Sequence, residues 1–330
     1  MKRPVAAIGI FDGVHRGHQA ILRRAKARAG AVGGTAMAIT FYPHPAAVLA
    51  PGREPPLLLS LAKRLEAFAS LGIGTVLVIP FTRSFSRWPP RRFVQRLLVD
   101  RLKVREVVVG HDFGFGHGRS GSVDTLRQLG REFGFKVHAV PPVKVTGERI
   151  SSRRIRELIR QGSLSKAARF LGRPVSVEGR VIRGTGRGRR IGFPTANVKV
   201  EAGVLPPTGV YAVAARIGRR RYSGMANLGL RPTFNRGTLH KGTVHSARGV
   251  SLNGASPLLP LLEVHLFDLH RSLYGRRLEV AFLKRLRPER RFRSAEALAR
   301  QLSLDAIRAK RGFRFTGRGP GGRVVEWKPR

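Results

Sequence analysis

The sequence predicts an α/β unit built on a parallel sheet, followed by an all-β antiparallel barrel that closes with a helix. Three observations carry this prediction. Short apolar strands alternate with amphipathic helices up to about residue 172, the pattern of a sheet covered on both faces. From residue 173 the texture changes to short β-rich segments with many glycines, which reads as a barrel. A length of 330 residues leaves room for two cores. The expected division is residues 1–172, residues 173–312 and a basic tail, 313–330. Glycine, proline and arginine leave that tail little to bury, so it is expected to be disordered.

Residues 5–10 form an apolar strand too short to span a membrane. The strand runs into FDGVHRGHQ, where Gly9 and Gly13 permit close backbone approach. His18 falls in the first turn of the next helix, where free N–H groups and the helix dipole favour an anion. A strand end, a helix start and the imidazoles of His15 and His18 together predict a phosphate site. A second strand, 35–40, leads into FYPHP, in which His44 sits stiffly between two prolines. That histidine reads equally well as lining a site or as a structural loop residue.

A helix at 59–71, a strand at 75–80, a basic helix at 90–102 and a strand at 106–109 continue the alternation. The glycine-rich segment GHDFGFGHGRSG, 110–121, is shaped for close backbone approach. Its Phe113 and Phe115 either flank a flat ring or pin the loop to the core. A helix at 122–133 and a strand at 136–140 precede ISSRRIRELI, 150–159. Hydroxyls and guanidiniums at that helix start suit phosphate capture. A short helix, 164–171, stops at Gly172 with Pro174 beyond it.

The second part opens with VEGRVIRGTGRGRRIGFPTANV, a basic, glycine-bearing turn between strands that suits a polyphosphate. It lacks the GK[ST] ending of a Walker A loop. In LEVHLFDL, 262–269, alternation puts Glu263, His265 and Phe267 on one strand face and Val264, Leu266 and Asp268 on the other. Residues 235–260 read as a polar insertion, and a helix is expected over 294–310.

Composition narrows the function classes. Absence of cysteine excludes disulfides, thiolate catalysis and cysteine-bound zinc. No run of 18 apolar residues exists, and Asp12 and Gly13 break the first apolar stretch too early for a secretory leader, so a cytoplasmic enzyme with no membrane span is expected. Lys and Arg number 63 against 19 acids, a net charge of +44. Counterion release predicts some nonspecific nucleic-acid binding, and steering of anionic substrates is a second reading. A third is arginine spread over solvated faces with no task of its own. Nothing in the composition fixes an oligomeric state.

The motifs fall in the order found in one family. GxFDGVHxGH resembles the nucleotidyltransferase signature, specifically that of the bacterial bifunctional riboflavin kinase/FAD synthetases. Residues 110–121 resemble that family's GxDFxFGxxxxG loop, through Asp112, Phe113, Phe115 and Gly116. ISSRRIR is similar to its ISSTxIR motif, with Arg153 in place of threonine, and GFPTAN, 192–197, is similar to the riboflavin kinase hallmark. The resemblance implies a Rossmann-like nucleotidyltransferase domain followed by a riboflavin kinase barrel. It implies phosphorylation of riboflavin to FMN by MgATP, then transfer of AMP from ATP to FMN, giving FAD and pyrophosphate. By the same resemblance Glu263 is the catalytic base, Thr195 and Asn197 supply oxygens to Mg²⁺, and His15 and His18 act on the nucleotide phosphates. Gly9, Phe11, Asp12, Gly17, Ser151, Ser152, Arg156, Gly184, Gly192 and Pro194 are then expected nucleotide contacts; Asp112, Phe113 and Phe115 are expected flavin contacts. Where the family has DFDGDLYG this chain reads DLHRSLYG, with His270, Arg271 and Ser272 as departures. A chain with one working site, and a basic RNA- or polyanion-binding protein, stand as alternatives.

Overall fold

The computed structural model describes residues 2–184, 186–231, 259–269, 271–319 and 322–327. Two compact units are formed, Met1–Ile155 with Phe170–Gly172, and Arg156–Arg169 with Arg173–Arg330. The chain crosses from the first unit to the second after Ile155, returns for Phe170–Gly172 and crosses again at Arg173, so residues 156–169, expected in the first part, go with the second unit.

In the first unit, β1 (Val5–Ile8), β2 (Ala36–Tyr42), β3 (Thr75–Pro80), β4 (Glu106–Gly110) and β5 (Lys136–Val140) make a sheet in the order β3-β2-β1-β4-β5. Every pairing in it is parallel. Ala6, Ile8, Val107 and Val109 enter one apolar cluster while Val5, Ala7 and Val108 enter another, so alternate residues feed cores on opposite faces. The covering helices are α1 (Arg16–Ala31), α2 (Pro45–Leu49), α3 (Leu61–Ser70), α4 (Arg83–Ser86), α5 (Pro90–Phe93) and α6 (Val123–Phe133). α1 buries Ile21, Leu22, Ala25 and Ala29, an apolar stripe at helical spacing. The basic helix expected at 90–102 starts as α5 and continues as a π-helix over Val94–Arg101.

Strand order reverses between β1 and β4, whose neighbours run outward in opposite directions. Ligands of open α/β sheets bind in the crevice outside the carboxyl ends at such a switch point. Residues 9–18 leave β1 there, and residues 110–121 leave β4. Beyond the sheet come β6 (Lys144–Val145), β7 (Glu148–Arg149), α7 (Ser152–Arg160) and α8 (Leu164–Leu171).

In the second unit, β8 (Val175–Ile182), α9 (Arg187–Arg190), β9 (Ala196–Ala202), β10 (Gly209–Ile217), β11 (Arg220–Arg231), β12 (Leu259–Leu266) and β13 (Arg277–Arg287) follow. The strands close as an antiparallel barrel in the order β10-β11-β12-β9-β8-β13. Helix α10 (Ala295–Arg311) is capped by Ser294, whose hydroxyl accepts from the Ala297 N–H. The expectation of a disordered 313–330 tail is corrected: β14 (Phe313–Gly319) and β15 (Gly322–Trp327) pair as a hairpin. Phe313 stands opposite Trp327 and Phe315 opposite Val325. These aromatic and β-branched residues carry strand propensity that the average composition of the tail conceals. His270 and the 235–260 insertion as far as residue 258 lie outside the described residues.

The first unit is pinned by an ion pair at the amino-terminal edge of its sheet. Glu106 opens β4, is 2% exposed, and accepts from Arg28 Nε and Nη2, both at 2.8 Å, and from His138 Nε2 at 2.7 Å. The Arg28 hydrogen bonds, opposed by burial and helped by His138, hold its carboxyl down from 4.5 to about 2. The charged form is the stabilised one. Its contribution is therefore full above the unfolded value of 4.5 and is lost as pH falls to about 2. Glu106→Gln should lower the unfolding free energy at neutral pH by roughly 2–4 kcal/mol and flatten the acid limb of the stability profile, which denaturant unfolding across that pH range measures.

Candidate active sites

The turn leaving β1 is built from strained backbone. Phe11 and Val14 have φ of 53° and 38°, left-handed values rare for an aromatic and exceptional for a β-branched residue. Polar contacts hold them there. Leu58 N–H donates to Asp12 Oδ1 at 2.9 Å, and Gln19 Nε2 donates to the Val14 carbonyl at 2.9 Å. Beneath the turn lies Arg64 of α3, 2% exposed. Its Nη1 donates to the Ile10 carbonyl at 2.6 Å, Thr40 Oγ1 at 3.1 Å and the Phe41 carbonyl at 3.4 Å. Burial pulls its pKa down, opposed by Asp12 and then Tyr42.

His15 is buried and caps α1: its Nδ1 accepts from the His18 N–H at 3.3 Å. That bond fixes the proton of the neutral ring on Nε2. The rings of His15 and His18 stack with centroids 3.6 Å apart, and the edge of Phe11 meets His18 at 5.4 Å. A side chain at Gly17 would strike the His15 ring at 3.2 Å, so the glycine lets the imidazole lie against the backbone. His18 is pushed well below its ordinary pKa by burial, then by His15 and Arg64, and is neutral at pH 7. Gly9, on the strand side of the turn, donates to the Ile39 carbonyl at 3.1 Å.

The ISSRRIR motif arrives at the same turn. Ser152 Oγ donates to the Asp12 carbonyl at 2.9 Å, and Ser151 Oγ accepts from Arg154 N–H at 3.2 Å as the helix cap. Arg153 is exposed; Arg156 is buried and falls in the second unit. In the β4 loop, Asp112 is exposed and pairs with Arg149 at 2.7 Å. Phe113 and Phe115 stack on each other with centroids 5.4 Å apart and planes 16° from parallel, and Phe115 also packs on Phe93. That spacing leaves no slot for a third ring between them. Phe115 pins the loop to the core, and Phe113 is half-buried beside it. His44 caps α2, accepting from the Ala46 N–H at 3.1 Å.

The second site is a cavity of about 290 Å³ in the barrel unit, lined among others by Thr195, Asn197, Asn227, Glu263, His265 and Leu302. Strand register makes it. Glu263 of β12 is paired with Asn197 of β9 on one side and Asn227 of β11 on the other. Directly paired residues share a sheet face, so the carboxylate stands between two amides. Asn197 is buried, and its Oδ1 has no partner among the described residues. Thr195 is exposed above it, two residues away on the same face. The basic turn closes over this pair: a Cβ at Gly184 would lie 1.9 Å from Asn197 Nδ2, and one at Gly188 would meet the Phe193 carbonyl at 2.2 Å. Gly192 sits in the exposed turn, and the Pro194 carbonyl accepts from His265 Nδ1 at 2.8 Å.

An orphaned amide oxygen beside a hydroxyl and a carboxylate is a fit for a hard cation. No group of three or more histidine, aspartate or glutamate side chains able to hold a metal occurs among the described residues. A cation here would therefore share few protein oxygens and rely on phosphate and water, the habit of magnesium.

Arg64, Asn227 and the His265–Pro194 bond escape the sequence reading. Arg64 looks like part of a solvated Lys-Arg pair; its spacing of four from buried Phe68 is the signal that would have placed it inside. Asn227 becomes visible only through strand register.

A parallel sheet with a histidine-bearing turn at its switch point, followed by a closed barrel with a hydroxyl, an amide and a carboxylate around one cavity, defines a two-unit class of protein. Comparison with known proteins agrees. The FAD synthetase family model matches residues 1–154, and the riboflavin kinase model matches residues 171–313. The bifunctional riboflavin kinase/FMN adenylyltransferase of Pseudomonas fluorescens is 39% identical over 93% of this chain and 92% of its own. That of Escherichia coli K12 is 36% identical over 94% and 93%. A crystal structure described as a macrolide-efflux protein from Streptococcus pneumoniae superposes with a TM-score of 0.76 at 29% identity over 92% of each chain. Among the described residues no helix is long and apolar enough to cross a membrane. The chain belongs to the bifunctional riboflavin kinase/FMN adenylyltransferase family.

The crowding at Gly184 can be tested directly. Gly184→Ala should displace the Asn197 amide and cut riboflavin phosphorylation at least tenfold, with FMN adenylylation and the thermal midpoint little changed; parallel assays of the two reactions measure this.

Proposed function

We propose a division of labour between the two units of this bifunctional enzyme. The barrel phosphorylates riboflavin, and the first unit adenylylates the FMN so formed. The observation that carries the reading is the register that sets Glu263 between Asn197 and Asn227, beside Thr195, in the unit matched as a riboflavin kinase.

In the barrel, Glu263 accepts the proton of the riboflavin 5′-hydroxyl as its oxygen attacks the γ-phosphorus of ATP, and ADP leaves. Thr195 Oγ1 and Asn197 Oδ1 would hold Mg²⁺. Bound there, the ion supplies charge neutralisation on the phosphates. Gly184, Gly192 and Pro194 shape the turn over the phosphates. In the first unit an FMN phosphate oxygen attacks the α-phosphorus of ATP, and pyrophosphate leaves. This step needs no protein nucleophile; it needs donors aimed at the developing charge. His15 offers Nε2–H, and neutral His18 adds a second imidazole whose pKa rises when the triphosphate arrives. Ser151 and Ser152 serve the same phosphates, with Gly9, Phe11, Asp12 and Gly17 forming the floor; Arg156, expected from the motif to join them, belongs to the second unit. Asp112 and Phe113 are the flavin contacts this reading retains from the β4 loop. Phe115 acts behind them. ATP as the shared co-substrate supports a cytoplasmic setting.

Chromatography of riboflavin, FMN and FAD in one ATP-containing assay separates the roles. Glu263→Gln should slow FMN formation by about 10²–10⁴ while added FMN is still converted to FAD. His18→Ala should let FMN accumulate, with FAD formation down by about 10²–10³. Normal FAD synthesis by the His18 variant would overturn the first assignment, and normal FMN synthesis by the Glu263 variant the second.

A further inference from the structure

We propose that His265 is a positioning residue for phosphoryl transfer: it latches the GFPT turn to the strand carrying Glu263 and so sets where Thr195 and Asn197 present their oxygens. The inference rests on reading that pair as the clamp for the metal-bound nucleotide.

The argument begins where the strand ladder ends. β9 and β12 pair at Val198–Leu262, Asn197–Glu263 and Ala196–Val264, and there the pairing stops. Continued by one step, the register would set Thr195 opposite His265. No ladder bond reaches that far, so the strand hydrogen bonds fix Asn197 but not Thr195. The His265 side chain takes over at this point. Its Nδ1 donates to the carbonyl of Pro194, the residue before Thr195, at 2.8 Å. A proline carbonyl only accepts, so the proton of the neutral ring is on Nδ1.

The imidazole is itself held. Phe193 meets it edge-on at 5.3 Å and Phe267 at 5.7 Å. Burial lowers the His265 pKa, the Pro194 hydrogen bond opposes this, and Lys310 adds to it. Either protonation state keeps a proton on Nδ1, so the latch does not open with pH. On the other side the turn is tied by backbone bonds at its start, Phe193 N–H to the Gly188 carbonyl at 2.8 Å and Gly192 N–H to the Arg189 carbonyl at 3.3 Å, which leave Thr195 to the latch. Glu263 and His265 share a strand face, so one rigid element holds the base and, through the latch, the clamp.

Two substitutions separate the hydrogen bond from the packing. His265→Asn keeps a donor at the Nδ1 position and loses most of the ring; His265→Phe keeps the ring and loses the donor. Binding of Mn²⁺ together with ADP to the full chain, followed by electron paramagnetic resonance, reads the clamp without turnover. The latch predicts about tenfold weaker binding and a matching rise in the KM for ATP in the Phe variant. It predicts values within about threefold of wild type in the Asn variant, and unchanged FMN adenylylation in both. Normal binding by the Phe variant, or equal damage in both, would overturn it in favour of a packing role. Asn197→Ala is the control for the underlying reading. If it binds Mn²⁺ and ADP normally, the clamp assignment fails; if it loses binding while the Phe variant does not, only the latch fails.

Discussion

A single buried guanidinium carries the turn on which the first unit is organised. β1 is covered on both faces, so the chain leaving it must take polar backbone into an apolar interior. Buried carbonyls left unpaired cost about 1–3 kcal/mol each. Arg64 meets that demand for Ile10 and Phe41 at once and engages Thr40 with the same nitrogen. With the floor fixed, Phe11 and Val14 are kept in conformations they would not choose alone. The histidines then lie stacked at the start of α1, and Ser152 closes on the Asp12 carbonyl from 140 residues away.

Much of this was legible in the sequence. The alternation of apolar strands with amphipathic helices gave the parallel sheet, and the change after Gly172 gave the barrel. The motif loops lie at the strand ends where they were expected, and alternation in LEVHL put Glu263 and His265 on the same face. What stayed hidden depends on pairing over long distances. A buried arginine is written with the same letter as a solvated one, so Arg64 vanished among the basic residues. Asn227 acquires meaning only when β11 is laid against β12. The pairing of β14 with β15 was missed because composition averages over a segment, whereas strand pairing depends on which residues face each other. His15 was read for its imidazole alone, although one of its nitrogens is engaged in capping a helix.

The scarcity of acids gives each one weight. Glu106 is spent on Arg28 and His138 under the sheet, and Asp305, fully buried in α10, accepts from Arg287 and Gln301 at 2.8 Å. Carboxylates placed inside as anchors leave many guanidiniums at the surface without an opposite charge nearby. Such a surface attracts triphosphates over roughly a Debye length, about 8 Å at physiological salt, and fades as salt rises.

The three-strand pairing around Glu263 also restricts how this chain can change in length. Inserting or deleting one residue within β9, β11 or β12 would turn an asparagine to the opposite face and leave the carboxylate without its neighbours. A connection outside the paired strands carries no register of this kind. Lengthening a connection adds only the slowly growing entropy of a longer loop, about 0.6 kcal/mol per doubling.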